Sequence, residues 1–394
     1  MKVLLVEPHF VGSHRAWAEG LAAHSDHEVR LITHPGRWWK WRIRGAALTL
    51  AESLASLEGW RPDVVLASDM IDLAQFRFFA RSHIGDPPTV LYFHESQLTY
   101  PPPAESEPDL SYAVTNWLSA FAADRVLFNS EYHFEVFFEQ LPRLLRNFPD
   151  LTHDHLIGEV AARCEVLPVG VDLSWIGQRG DRDAPPRLLW NHRWDHDKDP
   201  DAFAAAVEAL VDDGADFELV LLGARPPNPP PALIRLREVA GDRIVHDAEA
   251  PLDQYRSLVT SSDVVVSSAR QEFFGVAVIE AIAADCRPVL PDRLSYPGII
   301  PAEHHDTVLY PEGGLVDGLR DALARPIAPP GLVAAMARFS WDTLAPEYDR
   351  QLESVASMRR ANPSDQDPWL RLAGFGDGQG SAEPGEVDDV VYHP

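Results

Sequence analysis

Two glutamates near the middle of the second half of the chain have a spacing that could serve a reaction. Glu272 and Glu280 are separated by seven residues. Glu272 follows a buried-strand pattern at 263–268, and Glu280 lies within a segment of helical spacing at 276–284. Glu272 is therefore predicted in a strand-to-helix loop, and Glu280 inside the helix. Free backbone N–H groups at a helix N-terminus favour an anionic ligand, and the neighbouring carboxylate suits a polyol. A nucleotide-sugar combines both, whereas the alternative is a surface helix with two unrelated glutamates.

The segment 190–200, WNHRWDHDKDP, contains the candidate phosphate ligands Arg193 and Lys198 after a predicted strand. A departing diphosphate needs positive charge from side chains or from a bound metal. We interpret these two cations as that charge. The alternative interpretations concern three aspartates, which could bind a metal or form the acidic first turn of a helix: Asp195, Asp197 and Asp199.

Residues at predicted strand ends in the first half could complete the site. His94 follows a predicted strand at 89–93. There it could hydrogen-bond a hydroxyl of the sugar or the acceptor, the molecule that receives the sugar. Gly12 lies in the turn after the first strand, where the backbone could approach a ligand, and Ser13 is a candidate N-cap. A simple strand-to-helix turn and a structural histidine remain the alternatives.

The segment 37–44, RWWKWRIR, places four cations and three tryptophans in eight residues of an acidic protein. Basic residues interleaved with aromatic ones suit phosphate contacts combined with base stacking on unpaired RNA. We predict a loop that contacts the acceptor. An anionic lipid, or an amphipathic segment with buried tryptophans, is the alternative. The candidate acceptor-binding residues are Arg37, Trp39, Lys40, Trp41, Arg42 and Arg44.

Composition limits the class of protein. A chain of 394 residues exceeds what one hydrophobic core usually serves, so two domains are expected. Its two cysteines are far apart, which argues for a reducing compartment and against a disulfide framework or a zinc site. The net charge of −26 opposes non-specific nucleic-acid binding. The first apolar run is too short for a signal peptide and no stretch could span a bilayer, so a cytoplasmic protein without membrane contact is expected.

Short β-branched runs alternate with helical segments, which predicts an α/β protein with parallel sheets. We expect two doubly wound, Rossmann-like domains with a cleft between them and ligands at the carboxyl ends of the strands. The predicted strands are 2–6, 28–33, 63–67, 89–93, 125–129, 165–168, 187–191, 217–222, 243–246, 263–267 and 288–290. The predicted divisions are an acceptor domain at 1–173, a linker at 174–186, a nucleotide-sugar domain at 187–340, a returning helix at 341–360 and a disordered acidic tail at 361–394.

Several motifs occur together in a recognisable order. They are the GSH turn at 12–14, the tryptophan-basic segment, LYFHESQLTYP at 91–101, FNS at 128–130, HRWDHDKDP at 192–200, EFFGVA at 272–277 and YP at 296–297. The paired glutamates resemble the Glu-x7-Glu signature of retaining glycosyltransferases with the GT-B fold. The whole set, over roughly residues 1 to 345, closely resembles the tRNA-queuosine α-mannosyltransferases, which are related to family-4 glycosyltransferases.

This resemblance implies an activity and a donor site. The activity would be transfer of mannose from GDP-mannose to the cyclopentenediol of queuosine in the anticodon of tRNA-Asp, with retention and with no metal or other cofactor. Arg193 and Lys198 would neutralise the diphosphate, and Glu272 would hold the hexose hydroxyls. Backbone N–H groups near Phe274 and Gly275 would assist it.

The resemblance also implies roles around the donor and the acceptor. Glu280 would bind the nucleotide ribose, Gly12 and Ser13 would close on the phosphates and acceptor, and His94 would contact the sugar near the reacting centre. No carboxylate stands out as a nucleophile, which favours front-face displacement. Two rival functions remain: a glycosyltransferase of the same fold that acts on a lipid or small polyol, and a non-catalytic RNA-binding relative. The oligomeric state is not indicated.

Overall fold

The computed structural model describes residues 1–361 except 58, 101–108, 178–179, 181–182 and 227. The predicted acidic tail lies outside the described residues apart from Ala361, and four positions of the predicted linker lie outside them too. Within the described residues, no helix is long and apolar enough to cross a membrane.

The first domain is built on a six-stranded parallel sheet with strand order β2-β1-β3-β4-β5-β6. Its strands are β1 (Lys2–Phe10), β2 (Glu28–Pro35), β3 (Val64–Ser68), β4 (Thr89–Phe93), β5 (Arg125–Phe128) and β6 (Cys164–Val166). The helices are α1 (Gly12–His24), α2 (Trp39–Ser53), α3 (Leu73–Ile84), α4 (Leu110–Ala122), α5 (Glu131–Leu145) and α6 (Ile157–Ala161). The central strands are apolar on both faces because helices cover both sides of the sheet.

The second domain repeats this plan with strand order β12-β11-β10-β7-β8-β9. Its strands are β7 (Arg187–Trp190), β8 (Glu218–Leu221), β9 (Ile244–Asp247), β10 (Val264–Val266), β11 (Arg287–Pro291) and β12 (Leu309–Tyr310). The helices are α7 (Pro200–Asp212), α8 (Pro231–Ala240), α9 (Leu252–Thr260), α10 (Val276–Ala283), α11 (Tyr296–Ile299), α12 (His305–Val308), α13 (Leu315–Ala324), α14 (Leu332–Ala335) and α15 (Trp341–Ala361). Short 3₁₀ segments lie at Leu54–Leu57, Asp154–Leu156, His196–Lys198, Gly241–Arg243, Ala302–His304 and Met336–Phe339.

Helix α15 follows the second sheet in sequence but packs on the first domain. The Tyr348 hydroxyl accepts a hydrogen bond from Trp17 Nε1 at 3.1 Å and donates one to Pro168 O at 2.9 Å. Ser25 Oγ donates to Asp349 Oδ1 at 2.6 Å. One buried apolar cluster contains residues from both sheets together with this helix. The helix therefore helps to fix the first domain to the second.

The two doubly wound parallel sheets predicted from the sequence are confirmed. Strand bounds differ from the predicted ones by a few residues, most at β1, which continues to Phe10. Strand β12 was not predicted, because two residues are too short to show a periodic pattern. The second sheet therefore has one more edge strand than the sequence indicates.

Candidate active site

The predicted loop at Glu272 connects β10 to α10. The loop ends at Gly275, which precedes the helix with φ of +103°, a left-handed conformation that glycine adopts without strain. A Cβ at this position would also lie 3.1 Å from Ile299 Cδ1. Phe274 N donates to Glu272 Oε1 at 3.4 Å. Glu272 therefore lies in the loop and Glu280 in the helix, as their spacing predicts.

Lys198 is the cation that directly contacts Glu272. Its Nζ lies 3.2 Å from Glu272 Oε2 and 3.2 Å from Asp197 Oδ2, and it donates to Gln271 O at 2.7 Å. Burial alone would raise the pKa of Glu272, but Lys198, together with His192 and the Phe274 N–H, holds that pKa below its ordinary value. Glu272 is thus an ionised carboxylate that can accept hydrogen bonds from sugar hydroxyls at neutral pH.

Arg193 is half exposed and reaches both domains. Its Nη1 lies 2.8 Å from Asp195 Oδ2, and its Nη2 lies 3.6 Å from Asp197 Oδ2 and 3.4 Å from the hydroxyl of Tyr100 in the first domain. Since Asp197 contacts both Arg193 and Lys198, it holds two cations side by side. Two adjacent cations suit a diphosphate, which would compete for them with the carboxylates that they contact in this structure.

The three aspartates of segment 190–200 do not converge on one point. Asp195 and Asp197 contact Arg193, whereas Asp199 contacts Arg270 Nε at 2.7 Å and caps α7 through Ala202 N at 3.3 Å. This arrangement agrees with the helix-start interpretation for Asp199. Asp195 and Asp197 share Arg193, whereas Asp199 has other partners, so the three carboxylates do not form one set of metal ligands.

Glu280 faces an aromatic partner that the sequence did not indicate. The Tyr255 hydroxyl, from α9, donates to Glu280 Oε2 at 2.6 Å, and the pair is partly buried. Burial raises the pKa of Glu280 to about 7, although the Tyr255 hydrogen bond opposes the shift. Small changes around this carboxyl therefore change its charge near neutral pH.

His94 lies at the end of β4, where the sequence placed it. Its backbone N–H donates to Asp69 Oδ1 at 2.8 Å, and its carbonyl accepts from Asn129 Nδ2 at 2.8 Å. The ring is buried, and its Nε2 has no hydrogen-bond partner among the described residues. Burial, assisted by His14, holds the pKa of His94 well below its ordinary value, so the imidazole is neutral. A buried, unpartnered Nε2 is an available ligand-binding atom.

Sequence analysis missed the pairing of Glu7 with His14. Glu7 Oε2 lies 3.1 Å from His14 Nδ1, and the His14 ring lies 4.2 Å from that of His94. These three residues could offer ligand atoms to a metal, since the atoms lie within 4.8 Å of one another. The Glu7–His14 distance is that of a direct hydrogen bond, which uses one ring nitrogen of His14 and one carboxylate oxygen of Glu7.

The turn before α1 differs from the prediction. The helix begins at Gly12, its N-cap is Val11, and no side chain caps it. Ser13 is therefore not an N-cap: it lies exposed in the first turn, two residues beyond the N-cap Val11. Gly12 has φ of +53°, so its position suits glycine. The Gly12–Ser13 backbone remains at the sheet edge that also holds His94.

The tryptophan-basic segment is helical from Trp39, so the prediction of a loop is wrong. The helix continues through this segment because α2 buries an apolar face that includes Ile43, Ala47 and Leu50. Cations in a first helical turn oppose the helix dipole. Trp41 is 62% exposed, while Trp39 is partly buried and packs 5.2 Å from the Tyr112 ring.

The cations of this segment have different surroundings. Arg37 and Lys40 are exposed, whereas Arg44 is held by Asp109 at 2.8 Å and lies 4.7 Å over the Tyr112 ring. Arg42 is partly buried, and its Nε has no hydrogen-bond partner among the described residues. The segment therefore presents a basic surface in which Arg44 is already neutralised.

His9, at the end of β1, connects this surface to the cleft. Its pKa is lowered by burial first and then by His14, and Arg42 and Arg193 lower it further. Arg42 belongs to the first domain and Arg193 to the second. Both lie close enough to His9, at the end of β1, to lower its pKa. A convergence of positive charge at this point favours an anionic ligand.

The two domains also contact each other directly at the Glu272 loop. Ser130 Oγ donates to Phe273 O at 2.6 Å, and the His133 ring stacks on the Phe273 ring at 4.0 Å. Gln271 Nε2 lies 3.4 Å from Thr99 Oγ1. These contacts hold the loop against the first domain, and none was predicted, since the partners are more than a hundred residues apart in sequence.

Solved structures share the architecture of this chain. A sucrose-phosphate synthase from Thermosynechococcus elongatus superposes with a TM-score of 0.67 at 15% identity, covering 91% of this chain and 100% of the other. HepE from Anabaena, in complex with UDP and glucose, superposes with a TM-score of 0.64 at 14% identity, covering 90% and 100%. Both likenesses support the GT-B fold predicted from the sequence.

Sequence comparisons reach further than the fold. Residues 2–171 match the family model of the tRNA-queuosine alpha-mannosyltransferase N-terminal region, and residues 185–328 match that of glycosyl transferases group 1. A Drosophila melanogaster protein named tRNA-queuosine alpha-mannosyltransferase is 31% identical over 316 residues, which cover 77% of this chain and 82% of that protein. The chain belongs to the tRNA-queuosine α-mannosyltransferase family and is a glycosyltransferase.

Proposed function

We propose that this enzyme transfers mannose from GDP-mannose to the cyclopentenediol of queuosine in the anticodon of tRNA-Asp, with retention of anomeric configuration. The name of the Drosophila relative supports mannose as the sugar and queuosine in tRNA as the acceptor. The observation that carries the proposal is the meeting of Lys198, Glu272 and Arg193 in one cleft that the first domain also reaches. Guanine as the base and tRNA-Asp as the acceptor rest on the resemblance.

The donor would lie along the carboxyl ends of the second sheet. Arg193 and Lys198 would bind the diphosphate, while the ionised Glu272 accepts hydrogen bonds from hexose hydroxyls. The backbone near Phe274 and Gly275 would add N–H donors at the start of α10. Glu280 would accept from the ribose hydroxyls once the sugar competes with Tyr255 for it.

In the proposed reaction the departing phosphate, and not a carboxylate of the enzyme, assists the displacement. As the bond between the anomeric carbon and the phosphate oxygen breaks, negative charge grows on the diphosphate, and Arg193 and Lys198 stabilise it. An acceptor hydroxyl adds to the same face of the sugar and gives its proton to the departing phosphate. Glu272 is paired with Lys198, so it accepts hydrogen bonds from the sugar hydroxyls and does not act as a nucleophile.

The acceptor would approach along α2. The exposed cations Arg37, just before the helix, and Lys40, in its first turn, would contact RNA phosphates, and Trp41 offers an exposed ring for stacking. Arg42, near His9, would lie closest to the cleft. An unpaired anticodon nucleotide could then extend from this surface towards His94.

The test is transfer from GDP-mannose to tRNA by the purified protein, with nucleosides analysed by mass spectrometry. Queuosine-containing tRNA-Asp should gain one hexose, and matched tRNA-Asp with unmodified guanosine should gain none. GDP-glucose and UDP-glucose serve as donor controls. EDTA should leave the rate largely unchanged, because fixed cations take the place of a metal. Failure of every GDP-hexose on queuosine-containing tRNA would contradict the proposal.

A further inference from the structure

The Glu7–His14 pair is a buried ion pair beside the proposed sugar site. Glu7 is fully buried, its Oε2 lies 3.1 Å from His14 Nδ1, and its Oε1 accepts from His9 N at 2.8 Å. Loss of the His14 proton would leave the buried carboxylate without its charge partner. Burial alone would lower the pKa of His14, but the charge and hydrogen bond of Glu7, together with the charges of Asp69 and Glu95, raise that pKa to about 9. His14 is therefore a fixed imidazolium at neutral pH.

The His14 ring lies directly against the ring of His94. Their centroids are 4.2 Å apart, so a proton on His94 would place two positive charges in contact in a buried space. The other rings that contact His94 among the described residues belong to Trp17 and Tyr92, which carry no positive charge. The charge against the His94 ring thus comes from His14.

Other titratable groups around His94 come from several elements. Glu7 and His9 lie on β1, Asp69 follows β3, Glu95 follows His94 itself, and His133 lies on α5. Burial raises the pKa of Asp69 to about 8, with His14 opposing the shift. Burial lowers the pKa of His133 well below its ordinary value, so its ring is neutral. Burial is the largest cause of the lowered pKa of His94, and the charge of His14 is the next largest, ahead of His133.

We propose that His14 is a positioning residue whose charge, fixed by Glu7, adds to burial in keeping His94 neutral, so that His94 Nε2 can bind a hydroxyl of the transferred sugar. This inference rests on the proposed function, because it takes the sugar as the ligand of His94. A protonated His94 could only donate hydrogen bonds, whereas the neutral ring can also accept one. The pair would thus extend the pH range in which the sugar is held correctly.

The experiment compares wild type with His14→Gln, which keeps a hydrogen-bond donor for Glu7 but removes the charge. The pH dependence of kcat/KM for transfer should show an acid limb that moves upward by about half a pH unit or more in the variant. A lower kcat with an unmoved limb would mean a merely structural role and would overturn the proposal. Circular dichroism and thermal unfolding would verify that the variant folds.

A direct measurement of the His94 pKa tests the inference without relying on enzyme activity. NMR titration of protein labelled at histidine Cε1, with His94 assigned through His94→Gln, should show a higher pKa for His94 in His14→Gln than in wild type. Equal values would overturn the inference even if mannose transfer to tRNA is intact. Stoichiometric Zn²⁺ binding by wild type but not by His14→Gln would also overturn it, since the three side chains would then bind a metal. Absence of transfer in wild type, with the His94 shift present, would contradict the proposed function alone.

Discussion

Lys198 Nζ lies 3.2 Å from Glu272 Oε2, and this contact joins the proposed diphosphate ligands to the proposed sugar ligand. The same ammonium contacts Asp197, which also faces Arg193. Lys198 is largely buried and Arg193 is half exposed. The two cations, for which we propose the same phosphate-binding role, are therefore expected to differ in their contribution to folding.

We expect Arg193→Ala and Lys198→Ala each to lower turnover by about tenfold or more, which corresponds to ~1.4 kcal/mol on the barrier. Lys198→Ala should also lower the urea midpoint, because it leaves Asp197 and Glu272 without their buried cation. Arg193→Ala should leave that midpoint nearly unchanged. Steady-state kinetics and urea unfolding of both variants provide the comparison. Wild-type turnover in both would remove these residues from the site.

Glu272 and Glu280 should differ in which part of the GDP-sugar they help to bind. Glu272→Ala should weaken binding of the GDP-sugar and lower turnover, while GDP itself binds nearly as before, because GDP lacks the hexose. Glu280→Ala should weaken GDP and GDP-sugar alike, since its proposed partner is the ribose. Calorimetric titration with GDP and with GDP-mannose measures both. Equal losses of GDP affinity in the two variants would show that the assignment is wrong.

The Tyr255–Glu280 contact predicts a pH dependence of nucleotide binding. The pKa of Glu280 is raised to about 7, and only the ionised carboxylate accepts hydrogen bonds from both ribose hydroxyls. GDP affinity should therefore rise as pH increases through about 7. Tyr255→Phe removes a hydrogen bond that favours ionisation, so the midpoint of this rise should move to higher pH. Calorimetry across this range measures the midpoint, and a pH-independent GDP affinity in wild type would refute the role of Glu280.

Sequence patterns predicted the parts of this protein that depend on local periodicity. Apolar runs such as Val64–Ser68 and Thr89–Phe93 are strands because both faces are covered, and the helices between them require parallel pairing. Polar residues after such runs, including His94 and Glu272, therefore lie at the carboxyl edge of a sheet. These placements follow from rules that connect neighbouring residues in the chain.

Pairings between elements could not be predicted in this way. Tyr255 meets Glu280, and Ser130 meets Phe273, because separate helices and loops pack together at a distance and angle that no single segment determines. The tryptophan-basic segment was predicted as a loop from its composition. Its helical conformation comes from the apolar face further along α2. The helix extends from that face towards the N-terminus as far as Trp39, with no proline in between.

The exposed cations at the start of α2 and just before it predict a salt-dependent affinity for the tRNA acceptor. Arg37 and Lys40 are exposed, whereas Arg44 is already paired with Asp109. If the first two contact tRNA phosphates, KM for tRNA should rise steeply with salt, because each neutralised phosphate releases counterions. Arg37→Ala and Lys40→Ala should each reduce the logarithmic salt slope by roughly 0.7–0.9. Arg44→Ala should reduce it less. Arg320→Ala, an exposed arginine of the second domain, is the control that removes equal charge elsewhere.

Trp41 offers a matched test of stacking on the same helix. Trp41→Ala should raise KM for tRNA while leaving the salt slope unchanged, because an indole ring carries no net charge. Phe78→Ala, which removes another exposed aromatic ring of the first domain, should leave KM unchanged. The net charge of −26 makes the comparison demanding, since an acidic protein gains nothing from non-specific attraction to RNA. GDP-mannose affinity should be unaffected in all of these variants, because the donor lies in the cleft. An Arg37→Ala, Lys40→Ala, Trp41→Ala triple variant that modifies tRNA with wild-type KM and salt slope would exclude α2 as the acceptor surface.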